Sequence, residues 1–142
     1  MTCFVEVISL IESFFYNNFG DYEMSLNVGV YVKSNILILR LNGDLDDITV
    51  PDLRKRISTY IDEYKIMHLV INFEKLDFID SSGIGFIIGR FHQLRKKNGD
   101  VTLCGIQSKL EKIINVSGLS KICIIRENEK AVLISMGEYI NA

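Results

Sequence analysis

Tryptophan is absent, proline occurs once, and histidine occurs only as His68 and His92, so a multi-histidine metal centre is excluded. The three cysteines, Cys3, Cys104 and Cys123, are an odd number without a C-x-x-C pair. That argues against a disulfide framework or a zinc knuckle and fits a reducing cytosol. Charge of one sign is also lacking: 16 basic against 18 acidic residues leave a net charge of −2. A nucleic-acid binder usually carries a strong basic excess. No apolar run is long enough to cross a bilayer. The most apolar stretch, Phe4 to Phe15, is short, is interrupted by Glu6 and Glu12, and has no basic flank of the kind that marks a signal peptide. No Gly-Lys-Ser/Thr sequence is present to build a phosphate-binding Walker loop. The expectation is a cytoplasmic protein with no membrane insertion and no nucleic-acid partner.

What is present is enough for one well-packed domain: 142 residues, 48% of them hydrophobic and 24% charged. A regular pattern begins at Met24. Val28 to Val32 alternates and Asn35 to Leu41 is an apolar run, with Lys33-Ser34-Asn35 as a tight break, which predicts a hairpin. Gly43 to Asp46 is read as a loop. Thr49-Val50-Pro51-Asp52 predicts a helix start in which Thr49 caps and Asp52 completes a capping box. Leu53, Ile57 and Ile61 then share one face of a helix reaching about Tyr64. His68 to Phe73 has the length and composition of a central strand buried on both faces.

After Asp80-Ser81-Ser82-Gly83 a second helix carries Ile84, Ile87, Ile88, Phe91 and Leu94 at helical spacing and stops at Asn98-Gly99. Val101 to Cys104 is a strand, Ser108 to Val116 a helix, Ile122 to Ile125 a strand, and Glu127 to Met136 a last helix with Ala131, Val132 and Ile134 for packing. The order β-β-α-β-α-β-α-β-α predicts an α/β fold: a small, mostly parallel mixed sheet, with one antiparallel hairpin strand at its edge, packed with about four helices.

Residues 1–23 differ from the rest, being rich in Phe and Tyr and free of Lys and Arg. Phe4, Ile8, Ile11 and Phe15 fit a short amphipathic helix. Two readings stay open: a loosely attached extension, or an assigned start that precedes the natural one at Met24, since the Gly20-Asp21 codons can hold a ribosome-binding sequence. The domain proper is then 24–142.

Asp80 to Gly85 sits at a strand-to-helix junction. A helix N-terminus offers free backbone N–H groups and the positive end of a dipole, so it accepts an anion or phosphate. The plainer reading is that Ser81 or Ser82 caps the helix while Gly83 and Gly85 allow close packing. Gly83, Gly85 and Gly89 read G-x-G-x-x-x-G, one residue longer than a dinucleotide fingerprint. A serine hydrolase would need a glycine-flanked nucleophile and a base, but Ser81 lies between Asp80 and Ser82, and neither His68 nor His92 obviously reaches it. Asp44, Asp46 and Asp47 form an acidic loop of the kind that is usually just solvated.

Leu41 to Asp46 (LNGDLD), Val70 to Phe73 (VINF), Phe78 to Gly85 (FIDSSGIG), Ile88 to Leu94 (IGRFHQL) and Val116 to Ile122 (VSGLSKI) occur in order over about Met24 to Met136. On these segments the chain resembles the STAS-domain anti-sigma factor antagonists. The later segments are most similar to the anti-sigma F branch of sporulation. The resemblance implies the STAS fold, no enzymatic activity and no cofactor. It implies that the unphosphorylated chain binds an ATP/ADP-binding anti-sigma factor that is also a serine kinase, and so frees the sigma factor. Phosphorylation of the first motif serine, Ser81, then breaks the complex, and a PP2C-type serine phosphatase resets it. Asp44, Asp46, Asp80, Ser82, Gly83, Ile84 and Gly85 match the family's docking surface. Alternatives are the general-stress anti-sigma factor antagonist, a nucleotide-binding or GTP-hydrolysing STAS module, and a STAS piece regulating a membrane transporter.

Overall fold

The computed structural model describes residues 9–17 and 24–137. It holds one six-stranded sheet in the order β1-β2-β3-β4-β5-β6. β1 (Ser9–Asn17), β2 (Met24–Lys33) and β3 (Ile36–Leu45) run antiparallel, and β3, β4 (His68–Ile79), β5 (Asp100–Cys104) and β6 (Ile124–Arg126) run parallel. The helices are α1 (Val50–Glu63), α2 (Ser81–Arg95), α3 (Ser108–Val116), α4 (Leu119–Ile122) and α5 (Glu129–Ser135).

The alternating strands sort their side chains onto two faces. Leu37, Leu39 and Leu41 of β3 and Leu69, Ile71 and Phe73 of β4 share one core with Leu53, Ile57 and Ile61 of α1, Phe86, Ile87 and Leu94 of α2, and Leu110, Ile114 and Leu119 of α3 and α4. Ile36, Ile38, Val70 and Cys104 point to the other face, where Val132 and Leu133 of α5 cover them. Beside α5, Arg40 forks onto both carboxylate oxygens of Glu129 (2.9 Å each), and the Asn72 amide donates to the same carboxylate at 2.6 Å. This polar lock pins α5 to the middle of the sheet. Cys104 and Cys123 are free and buried, and burial pushes both thiols up to about 12. Cys3 lies outside the described residues. Among the described residues no helix is long and apolar enough to cross a membrane.

Five sequence expectations are corrected. The stretch read as a helix in residues 1–23 contains a strand: Ser9–Asn17 pairs antiparallel with β2 and forms the sheet edge, so the hairpin strand β2 is internal. Phe4 and Ile8 lie outside the described residues. Gly43 to Leu45 belongs to β3 rather than to a loop, because β4 runs on to Ile79 and keeps it paired (Asp44 with Phe78, Leu45 with Ile79). Thr49 makes no side-chain cap; the turn is held instead by Asp46, whose Oδ1 accepts from the N–H groups of Ile48 and Thr49 (3.1 Å each). Residues 119–122 form the short helix α4, so the last strand starts at Ile124. In α5 the inward pair is Val132 and Leu133, with Ile134 exposed.

Candidate functional site

The parallel pairing of β3 and β4 brings their C-terminal ends to one place. The Asp80 N–H donates to the Leu45 carbonyl at 3.3 Å. The acidic segment after Gly43 and the Asp80-Ser81-Ser82 segment therefore leave the sheet side by side. Each leads into a helix, α1 and α2, whose N-termini share this end of the molecule.

The cap of α2 is Asp80, in extended conformation (φ −111°, ψ −169°). Its Oδ1 accepts from the N–H groups of Ser82 (2.8 Å) and Gly83 (3.1 Å), and its carbonyl accepts from Ile84 N–H (3.0 Å). Neither serine is the cap, and three donors of the first turn are already taken. The anion cradle expected from the sequence is filled by the protein's own carboxylate. Ser81 is exposed and its hydroxyl has no partner among the described residues, whereas Ser82 is half-buried.

The glycines divide in role. A Cβ at Gly83 would stand 2.6 Å from Ile79 Cγ1 and 2.7 Å from the Leu45 carbonyl oxygen, so Gly83 is where α2 touches the sheet. Gly85 meets nothing within 4 Å and is exposed, so it flattens the surface beside Ser81 rather than packing against the sheet. Ile84 is half-buried against the core. Of the acids, Asp46 spends one oxygen on its turn. Partial burial, then Asp46 and Asp77, push the Asp44 carboxyl above its ordinary value, opposed by Lys109. Asp44, Asp46, Asp80, Ser81, Ser82, Gly83, Ile84 and Gly85 are thus gathered at one end.

Two apolar side chains there escaped the sequence reading: Phe78, 49% exposed, and Ile48, 57% exposed. Phe78 was hidden because β3–β4 pairing shifts register near it, which breaks the period-two pattern. The hydrolase reading finds no base. His68 pairs through Nδ1 with Asp100 (2.9 Å) at the far end of β4, about 36 Å away along a strand of this length. His92 is about 16 Å along α2 from Ser81.

Comparison with known proteins shows the family and the fold. Residues 27–132 match the STAS domain family. The anti-sigma F factor antagonist of Paenibacillus polymyxa is 33% identical over 106 residues, covering 75% of this chain and 91% of that protein. The anti-sigma factor antagonist SpoIIAA in its unphosphorylated form superposes with a TM-score of 0.69 at 30% identity, covering 82% of this chain and all of that one. The phosphorylated form of SpoIIAA, a Bacillus cell fate determinant, gives a TM-score of 0.62 at 30% identity over 78% of this chain and 99% of its own.

Proposed function

The chain belongs to the STAS-domain family of anti-sigma factor antagonists, and from that premise we propose that its acidic Ser81 end is a phosphorylation switch controlling a sporulation sigma factor, sigma F. The protein is a binding regulator, not an enzyme. Unphosphorylated, it docks through this end on a serine-kinase anti-sigma factor and frees the sigma factor. The kinase's ATP then supplies the γ-phosphoryl group: the Ser81 hydroxyl oxygen takes it, ADP leaves and the hydroxyl proton is lost. A PP2C-type phosphatase hydrolyses the ester and restores the binder.

The observation that carries this reading is the state of Ser81: an exposed hydroxyl without a partner among the described residues, at a helix start whose donors are held by Asp80. The hydroxyl is free to react. The phosphate it would carry, about −1.5 to −2 in charge, meets carboxylates rather than open N–H groups. Burying that charge against a partner beside Asp44, Asp46 and Asp80 costs several kcal/mol, enough to lose most of a docking affinity. The exposed Phe78 and Ile48 supply apolar area for docking. The identity to a relative named an anti-sigma F factor antagonist supports the choice of sigma factor.

The test is to incubate the chain with the serine-kinase anti-sigma factor of the same organism and ATP, map the phosphate by mass spectrometry and titrate both forms against that partner. Phosphate on Ser81 and weakened binding are expected. Phosphate chiefly on Ser82, or unchanged affinity, refutes the switch. Release of a stress sigma factor in place of sigma F reassigns the pathway.

A further inference from the structure

β4 outruns its neighbour β5. The two pair only from His68–Asp100 to Asn72–Cys104, so Phe73 to Ile79 has no strand on that side among the described residues. Backbone groups on such an edge need other partners. The chain that leaves β5 supplies them. Gly105 turns it at φ +68°, and a Cβ there would stand 3.0 Å from Asn72 Oδ1 and 3.1 Å from the Glu74 nitrogen, so the connection lies against β4. Just before α3, the Gln107 amide nitrogen donates to the Glu74 carbonyl at 2.8 Å and the Leu76 carbonyl at 3.0 Å, with the Phe73 carbonyl at 3.4 Å. That nitrogen has two hydrogens, so the two shorter bonds carry the contact.

These carbonyls lie in a bulged stretch. From Arg40 to Asn42, β3 takes two steps while β4 takes three, from Asn72 to Lys75. From Gly43 to Asp44, β3 takes one step while β4 takes two, from Leu76 to Phe78. Either extra residue alone would turn every later side chain of β4 to the opposite face. Together they restore the phase: Ile71 and Ile79 both face the core, as do their partners Leu39 and Leu45. The first bulge is held from both sides, since the Glu74 N–H donates to Asn72 Oδ1 at 2.8 Å and the Glu74 carbonyl accepts from Gln107. At the second, Lys109 Nζ reaches the extra residue Asp77 at 3.2 Å, an exposed pair of little strength. Gln107 is half-buried and joins the first bulge, at Glu74, to the start of the second, at Leu76.

The phase of β4 sets where Ser81 stands. Ile79 pairs with Leu45, and the next N–H, that of Asp80, therefore meets the Leu45 carbonyl. A slip of one residue would move the serine by about 3.3 Å and turn Ile79 out of the core. Phosphoryl transfer needs an aligned acceptor oxygen, and an error of about 1 Å can cost about 100-fold in rate. We propose that Gln107 is a positioning residue of the Ser81 switch: its amide holds the double bulge of β4 and so fixes where the kinase finds the Ser81 hydroxyl. This rests on the antagonist reading above. The switch is thereby tied to the start of α3, which carries none of the docking residues.

The test gives the full chain and its Gln107→Met and Gln107→Lys variants to an excess of the serine-kinase anti-sigma factor of the same organism, with ATP. The single-turnover rate of phosphate transfer to Ser81 is read by mass spectrometry. Circular dichroism and thermal unfolding define the temperatures at which each free protein is folded, and rates are compared there. Methionine keeps the length of the side chain and removes both donors, whereas lysine keeps donors at similar reach. Gln107→Met should transfer phosphate about tenfold more slowly or worse. Gln107→Lys should restore most of the rate. A role in stability alone would leave the rate of the folded variant unchanged. That outcome overturns the proposal while the antagonist reading stands, and so does a fall that lysine does not restore. No phosphate on wild-type Ser81 would bring down both readings. If Gln107→Met does not fold, Gln107→Asn decides, because its amide is one methylene too short to reach both carbonyls: a slowed rate sustains the proposal and an unchanged rate overturns it.

Discussion

Gly83 on α2 and Leu45 on β3 are in backbone contact, with only 2.7 Å between the Leu45 carbonyl oxygen and the place a Cβ of residue 83 would take. Ile79 Cγ1 closes the other side at 2.6 Å. The contact seats the first turn of α2 on the sheet and so sets where Ser81 stands. One added methyl has nowhere to go, because one obstacle is backbone and the other is a buried core side chain.

Gly83→Ala is therefore expected to destabilise the fold by about 1–3 kcal/mol, as overpacking does. It should also slow phosphorylation of Ser81 by tilting the helix start. Urea unfolding and a kinase assay on the folded fraction check both effects. Gly85→Ala is the control. Its Cβ meets open space, so stability should hold or rise slightly as a helical glycine is replaced.

The acids of the same end give a pH signature. Burial and its acidic neighbours raise the Asp44 carboxyl above the ordinary value near 3.8. A raised folded-state value means that the folded protein holds this proton longer than the unfolded chain. Stability from Asp44 is thus full below about pH 3.8 and is lost as pH rises through the raised value. Asp44→Asn should raise the melting temperature at neutral pH, and the gain should vanish in acid. A gain that persists unchanged below pH 3.8 would assign it to another cause.

Much of this layout is legible in the sequence, and what is not has physical reasons. The stripe of Leu53, Ile57 and Ile61 and the bounds of α3 follow from apolar spacing alone, since nothing competes with it. α2 is harder. Its buried face is Gly83, Phe86, Ile87, Arg90 and Leu94, so a charged residue stands where the spacing puts Ile84, Ile88 and Phe91, which are only half-buried. The cap of α2 was read as Ser81 or Ser82 and is Asp80, one residue earlier: all three side chains can cap, and the extended backbone of Asp80 decides. β1 was misread because its apolar residues suit a helix, while its place is set by backbone pairing with β2.

β1 is also tied down by a side chain. Glu12 accepts from Arg56 and from the Tyr60 hydroxyl, both on α1. Burial and then Glu12 push the Tyr60 phenol up to about 12. Glu12→Gln should lower the Tyr60 titration midpoint, read by ultraviolet absorbance in alkali. A chain beginning at Met24 should show the same fall. That shortened chain should still bind the anti-sigma factor with wild-type affinity, because β1 lies at the sheet edge, beyond β2 and β3 from the strand that leads to Ser81. It should aggregate more readily, since the β2 edge is then unpaired. A tenfold weaker affinity, about 1.4 kcal/mol, would make residues 1–23 part of the docking surface.

Ser81→Ala and Ser81→Asp separate the charge from the hydroxyl. Alanine removes the phosphate acceptor and adds no charge, so this variant should bind the ADP-loaded anti-sigma factor like wild type and stay bound when ATP is supplied. Its stability should change by under about 0.5 kcal/mol, because Ser81 is exposed and Asp80, not Ser81, caps the helix. Aspartate adds one negative charge among Asp44, Asp46 and Asp80. It carries about half the charge of a phosphate and fewer acceptor oxygens, so it should weaken binding without abolishing it. The fold should survive, since acids are tolerated at a helix N-terminus. Calorimetry gives the affinities and circular dichroism confirms folding. A folded Ser81→Asp that binds as tightly as wild type would mean that charge at this serine does not expel the partner, and phosphorylation would then need to act by moving α2 itself.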